Sequence, residues 1–208
     1  LHPLPVVMIS SLTERGADVT GMHPDPAQPA PISAPGARPV TGDLISDDVE
    51  TLTDRLRGHE AVVFSAGAHG TGPDKTSAID GDGLVKAAEA AERAGISRFV
   101  IVSVIPDAGR GGEVGEGFEH YMRVKKAADV HLAGTDLDWI IVRPGTLRDE
   151  PGDGSVTAGP AIEYGDVRRD NVAAFIAEAL HTPALSREIV ELTDGPTPVA
   201  EAVARLAR

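Results

Sequence analysis

The sequence predicts an α/β protein with a Rossmann-like, doubly wound parallel sheet, folded as a single domain. Three observations lead there. Short β-branched runs alternate with alanine-rich helical stretches, the pattern of a parallel sheet covered by helices on both faces. The length, 208 residues, suits one domain with a sizeable core. Hydrophobic residues make up 41% and aromatics only 3%, so the core must be built from Val, Ile, Leu and Ala.

The elements follow in order. Leu4–Ile9 (LPVVMI) reads as a buried first strand, and Ala17–Met22 as a second strand after a glycine stop. Between them Ser10–Gly16 (SSLTERG) has the character of a helix's last turns. A parallel crossover takes roughly ten to twelve residues or more, so this connection is too short. Three readings are open: a segment of about ten residues is omitted between Ile9 and Ser10; Leu1–Gly16 is all helix, with the first strand lost upstream; or the segment is truly deleted.

Further along, Ala61–Gly67 (AVVFSAG) is an apolar run ending in small residues, and AIDGDGLVKAAEAAERAG is a helix stopping at Gly95. Ser97–Ile105 (SRFVIVSVI) is a strand. FEHYMRVKKAADVHLAG is a helix ending at Gly134, followed by the strand LDWIIVRPG with Trp139 in the core. DNVAAFIAEAL and PVAEAVARLAR are helices with the strand EIVELTDG between them. Asp170 suits the cap of the first helix, and Thr197–Pro198 the start of the second. Asp47–Asp48 read as solvated or capping residues at a helix start. Two irregular stretches, the proline-rich HPDPAQPAPISAPGARP and the glycine-rich Pro106–Gly117, read as a surface loop and as a flexible loop or lid. In such sheets ligands bind beyond the carboxyl ends of the strands, so the informative residues should follow each strand.

A formal charge of −13 argues against nucleic acid or an anionic membrane as partner. Without cysteine there is no disulfide, thiolate metal site or cysteine nucleophile. No run approaches the ~18 apolar residues of a membrane helix, and the expectation is a soluble cytoplasmic protein. No histidine spacing suggests a metal site, and His69 and His120 read as surface residues. GAHGTGPDKT lacks the G-K-[ST] of a phosphate loop, and no G-x-S-x-G elbow is present.

Tyr121 and Lys125 form Y-x-x-x-K on a helix, and a spacing of four puts both on one face. A nearby ammonium stabilises a phenolate, which predicts a tyrosine pKa below its usual value of about 10 and proton exchange with a substrate oxygen. The preceding strand ends at Ser103, whose hydroxyl can polarise the same oxygen. The same lysine can hydrogen-bond a cofactor ribose.

In this order, these residues resemble the short-chain dehydrogenase/reductase superfamily, and most closely its atypical, NmrA-like branch of NAD(P)-binding proteins. The resemblance runs over almost the whole chain. It makes ARPVTGDL the third strand, with Asp43 and Leu44 near the adenine, and HEAVVFSAG the fourth, with Ser65, Ala66 and Gly67 against the adenine ribose. It makes Tyr121 and Lys125 the catalytic pair and places Pro144 and Gly145 near the nicotinamide, with a short substrate-side segment around 145–166. It implies NADP or NAD as cofactor, a small-molecule substrate, and a monomer or homodimer. Two departures stand out. Val104 occupies the place aligned with the catalytic serine, leaving Ser103, and Pro24 stands where many relatives carry an arginine for the NADP 2′-phosphate. The implied activity is an oxidoreductase or epimerase-like reaction; the alternative is a dinucleotide-sensing regulatory protein without turnover.

Overall fold

The computed structural model describes residues 4–24, 36–68, 70–106 and 115–207. His69 and most of the two irregular loops, including the lid reading, lie outside the described residues. The chain packs as two compact units: Leu44–Arg143 with Ser186–Val190, and Leu1–Asp43 with Pro144–Leu185 and Glu191–Arg208.

The first of these carries three neighbouring parallel strands, β3 (Ala61–Phe64), β4 (Arg98–Val102) and β5 (Asp138–Pro144, whose last residue belongs to the other unit). Their register aligns Ala61 with Arg98 and Arg98 with Asp138. β3 and β4 are each followed by a helical stretch that leads into the next parallel strand. α2 (Val49–Leu56) precedes β3; Asp48 caps it by accepting from Thr51 N–H at 2.8 Å, and Asp47 pairs with Arg55. The helix after β3 has three parts: α3 (Pro73–Thr76), a π-helical turn (Ser77–Asp82) and α4 (Gly83–Arg93). α5 (Glu116–Ala133) joins β4 to β5 and ends at Gly134. Leu84, Phe99, Ile101, Leu132 and Ile141 are fully buried at the centre of this unit, Trp139 is buried among them, and the alanines of α4 fill the gaps. Burying one such side chain stabilises the fold by about 1.5–3 kcal/mol.

In the other unit β1 (Thr20–His23) pairs in parallel with β2 (Arg38–Thr41). Short β6 (Thr146–Arg148) runs parallel to β8 (Asp166–Arg168). β7 (Ser155–Gly159) is antiparallel to the second half of β9 (Glu188–Asp194) and to β10 (Thr197–Pro198). The winding is therefore parallel around the helical crossovers and antiparallel at the chain's end. α6 (Arg169–Leu180) packs against α1 (Leu4–Glu14) and against α7 (Val199–Leu206), which starts after Pro198 as expected.

Two sequence expectations are corrected here. Leu4–Ile9 is no strand: Leu4–Glu14 is one helix, α1, running without a break through Ile9–Ser10. Leu4, Met8 and Leu12 recur every fourth residue and are buried together with Ile9, so the apolar run is a helical stripe. Pro5 sits in the first turn, where its missing N–H is tolerated. The helix ends as SSLTERG suggested: Gly16 has φ +86°, and Ala17 N–H returns to Leu12 O at 3.1 Å. Asp170 does not cap α6. It lies in the first turn and accepts from Gly152 N–H at 2.9 Å, holding the loop before β7.

Candidate functional site

β4 is the middle strand of β3–β4–β5 and is buried over most of its length. Ser103 follows it directly, and its N–H donates to Val142 O at 2.7 Å, extending the pairing with β5 by one residue. Its side chain is buried, and among the described residues Oγ has no hydrogen-bond partner.

α5 presents Tyr121, Lys125 and Asp129 at intervals of four, so the three stack along one face. Lys125 is 2% exposed, and its Nζ donates to Val102 O at 2.9 Å. This bond anchors the ammonium at the carboxyl end of β4, beside Ser103. One turn on, Asp129 Oδ2 accepts from Arg143 Nε at 3.0 Å and Nη2 at 2.8 Å, which fastens α5 to β5. Asp129 Oδ1 is buried with no partner among the described residues. Among the described residues, nothing hydrogen-bonds the Tyr121 hydroxyl.

A second acid reaches the lysine from the π turn. Asp80 is 1% exposed; its Oδ2 accepts from Ala68 N–H at 3.0 Å, and its Oδ1 lies 3.7 Å from Lys125 Nζ. Small residues allow this approach. A Cβ on Gly81 would come within 3.2 Å of Val124, and one on Gly67 within 3.3 Å of Asp80 Oδ1. His120, expected at the surface, is half-buried and meets Ser77 Oγ at 2.9 Å, tying the start of α5 to the helix after β3.

The electrostatics reverse one expectation. Tyr121 is not held below the usual phenol range but pushed up to about 12, first by burial and then by the charges of Asp80 and Asp129. The ammonium that should stabilise its phenolate faces those carboxylates. Burial lowers the Lys125 pKa while Asp80 and Asp129 oppose that shift. Burial raises Asp129, and Ser103, Arg143 and Lys125 pull it back down. Ser103 thus helps to stabilise the Asp129 charge, although neither Oγ nor Oδ1 completes a well-formed hydrogen bond.

Of the residues singled out in the sequence, Ser103, Tyr121 and Lys125 lie in one unit, Lys125 beside Ser103 and Tyr121 one turn along α5. Ser65, Ala66 and Gly67 are half-buried directly after β3 and connect to them through Ala68 and Asp80. Leu44 is a core residue packed on Gly83. Asp43, Pro144 and Gly145 belong to the other unit. There Asp43 is half-buried after β2, and Pro144 is buried at the end of β5. Gly145 N–H donates to Leu192 O, and a Cβ at Gly145 would sit 2.0 Å from Gly165 O, so packing alone demands glycine there. Sequence reasoning missed Asp80, Asp129 and Arg143. The four-residue interval from Lys125 could have revealed Asp129; nothing in the sequence pattern marks Asp80.

The cluster suits a dinucleotide. Among the described residues, the lysine spends one of its three N–H donors on a short hydrogen bond and the buried serine hydroxyl has no partner, and small residues end β3.

Comparison with known proteins agrees. A family model described as NAD(P)H-binding matches residues 7–183. The chain is 39% identical over 180 residues to a Bacillus subtilis protein named an uncharacterized sugar epimerase, YhfK, covering 86% of this chain and 83% of that one. A putative NAD-dependent epimerase/dehydratase from Bacillus halodurans superposes with a TM-score of 0.88 at 32% identity, covering 98% of this chain and 94% of that one. The oxidoreductase ylbE from Lactococcus lactis gives a TM-score of 0.84 at 25% identity over 98% and 91% of the two chains. The fold is therefore Rossmann-like, of the atypical short-chain dehydrogenase/reductase kind, and the chain belongs to the NAD(P)H-binding family.

Proposed function

We propose that the chain is an NAD(P)H-dependent oxidoreductase or epimerase-like enzyme acting on a small molecule. The observation that carries this reading is Lys125 Nζ bonded to Val102 O at the end of β4, beside Ser103 and one helical turn from Tyr121, in a chain of this family. The relatives' printed names, epimerase, epimerase/dehydratase and oxidoreductase, favour the same class. A bound nicotinamide supplies hydride chemistry. Tyr121, protonated at neutral pH, donates a proton to the substrate oxygen that gains negative charge, and recovers it in the reverse direction. Lys125 donates to a ribose hydroxyl with the N–H groups it does not spend on Val102 O. Ser103 Oγ–H, which completes no hydrogen bond among the described residues, donates to the same substrate oxygen as Tyr121. Ser65, Ala66 and Gly67 line the ribose side of the dinucleotide, on the strength of the family resemblance.

The test measures NADH and NADPH binding by calorimetry and hydride transfer against carbonyl and quinone substrates, comparing the native chain with Tyr121→Phe. Turnover that falls in the variant by about 10²-fold or more, with binding retained, supports the enzyme. A second reading, a dinucleotide sensor without turnover, is favoured by Val104 in the aligned serine position. Binding with no Tyr121-dependent turnover selects it.

A further inference from the structure

We infer that His120 is a positioning residue for Tyr121: its imidazole latches the first turn of α5 onto the start of the helix after β3 and so fixes the direction in which the phenol points. The inference rests on the enzyme reading for its catalytic meaning, while the latch itself is tested without turnover.

One nitrogen makes the contact. His120 Nε2 lies 2.9 Å from Ser77 Oγ and 3.2 Å from Pro73 O. A carbonyl oxygen only accepts, so the ring proton sits on Nε2 and is shared between the two oxygens. Pro73 O also accepts from Ser77 N–H, so the imidazole closes on a turn that is already hydrogen-bonded. On the α5 side the first turn has little of its own to hold it. Gly115 caps the helix with its backbone alone, its O accepting from Phe118 N–H at 2.9 Å and Glu119 N–H at 3.1 Å. Gly117 follows in the same turn, and glycine gives a helix its loosest backbone. Further along α5, Lys125 and Asp129 are fastened by their bonds to Val102 and Arg143. Tyr121 precedes both. Its ring lies 6.4 Å from that of Phe118, but Phe118 belongs to the same turn and cannot fix that turn against its surroundings.

Helix geometry carries the latch to the phenol. Consecutive helix residues point about 100° apart, so holding His120 against Ser77 holds Tyr121 on the neighbouring bearing, in line with Lys125. A phenol hydroxyl reaches roughly 8 Å from the helix axis, so an unlatched turn that rotates by about 10° moves it about 1.4 Å. A misplacement of about 1 Å at a reacting group can cost about 10²-fold in rate.

The chain has only two tyrosines, and Tyr164 is exposed, so nitration by tetranitromethane read by mass spectrometry follows Tyr121 against an internal reference. The reagent attacks the phenolate, and burial holds the native Tyr121 pKa up to about 12, so its nitration is slow. In His120→Ala the loosened turn exposes the phenol, and Tyr121 nitration relative to Tyr164 should rise about threefold or more. His120→Gln, whose amide nitrogen stands as many bonds from Cα as Nε2 does, should restore the native rate. In turnover, His120→Ala should lose about tenfold or more in kcat, with NADPH affinity within about twofold of native because Lys125 and the end of β3 keep their contacts. If His120→Ala fails to fold, Ser77→Ala replaces it; loss of the nearer oxygen should raise Tyr121 nitration about 1.5-fold or more. Unchanged Tyr121 nitration in the variant that folds, a native kcat in His120→Ala, or His120→Gln behaving as His120→Ala overturns the latch. Failure of the enzyme reading looks different: no hydride transfer by the native chain, with the nitration pattern intact.

Discussion

Arg143→Leu probes the buried charge cluster directly. In the native protein, two Arg143 nitrogens donate to Asp129 Oδ2 at 2.8 and 3.0 Å, and among the described residues Oδ1 has no partner. Leucine removes both bonds and leaves a carboxylate, 3% exposed, with only Lys125 and Ser103 nearby to offset its charge. Stripping one partner from a buried pair costs about 3–5 kcal/mol. For a chain of this size that is a Tm lowered by roughly 6–20 °C. The pH dependence has a definite sign. Burial already holds the Asp129 pKa above its ordinary value, and losing Arg143 raises it further. A group raised in the folded state contributes its full stability below the unfolded value, about 4, and loses it as pH rises through the folded value. The penalty of Arg143→Leu should therefore be larger at pH 8 than at pH 5, measured by urea unfolding at both. Asp129→Asn/Arg143→Leu should recover most of the loss at pH 8. A penalty under about 1 kcal/mol at pH 8, or one equal at both pH values, would refute the argument, because it would mean the carboxylate is not buried unpaired.

Other outcomes follow from the packing. Gly145→Ala places a methyl 2.0 Å from the backbone oxygen of Gly165 and should cost about 3 kcal/mol or leave the protein insoluble, as solubility and thermal melts will tell. Gly117→Ala, in the first turn of α5 with open space around it, should be neutral or stabilise by about 0.5 kcal/mol. Leu12→Ala should cost about 2–4 kcal/mol in chemical denaturation, since Leu12 is buried on the α1 stripe; a loss near zero would argue against that helix.

Much of the fold is legible in the sequence because its strands are β-branched and its helices alanine-rich. β4 and β5 can be read from RFVIV and DWIIVRP, where no helical spacing competes. The start of the chain is not legible in that way. LPVVMI is six apolar residues long, and a run that short suits a buried strand or a helix stripe equally; packing of Leu4, Met8 and Leu12 against α6 decides it. Asp170 shows how tertiary structure overrides a local preference, since the loop at Gly152 claims its carboxylate. At the site, the Tyr121–Lys125 interval is readable because helix geometry alone puts the two on one face. The sign of the tyrosine's shift is not readable, because it depends on two acids brought in by packing: Asp129 one turn along, and Asp80 through a π turn that breaks the period on which sequence patterns rest. Gly145 carries a related lesson: packing in this chain already demands a glycine there, before any ligand is considered.

The most direct test of the central claim is a crystal structure of the protein with NADPH. The account predicts the nicotinamide beside the end of β4, with its ribose hydroxyl within hydrogen-bond reach of Lys125 Nζ and room for one substrate oxygen between the ring and the Tyr121 hydroxyl. A nicotinamide bound elsewhere, or a Tyr121 hydroxyl turned away from it, would contradict the proposed chemistry.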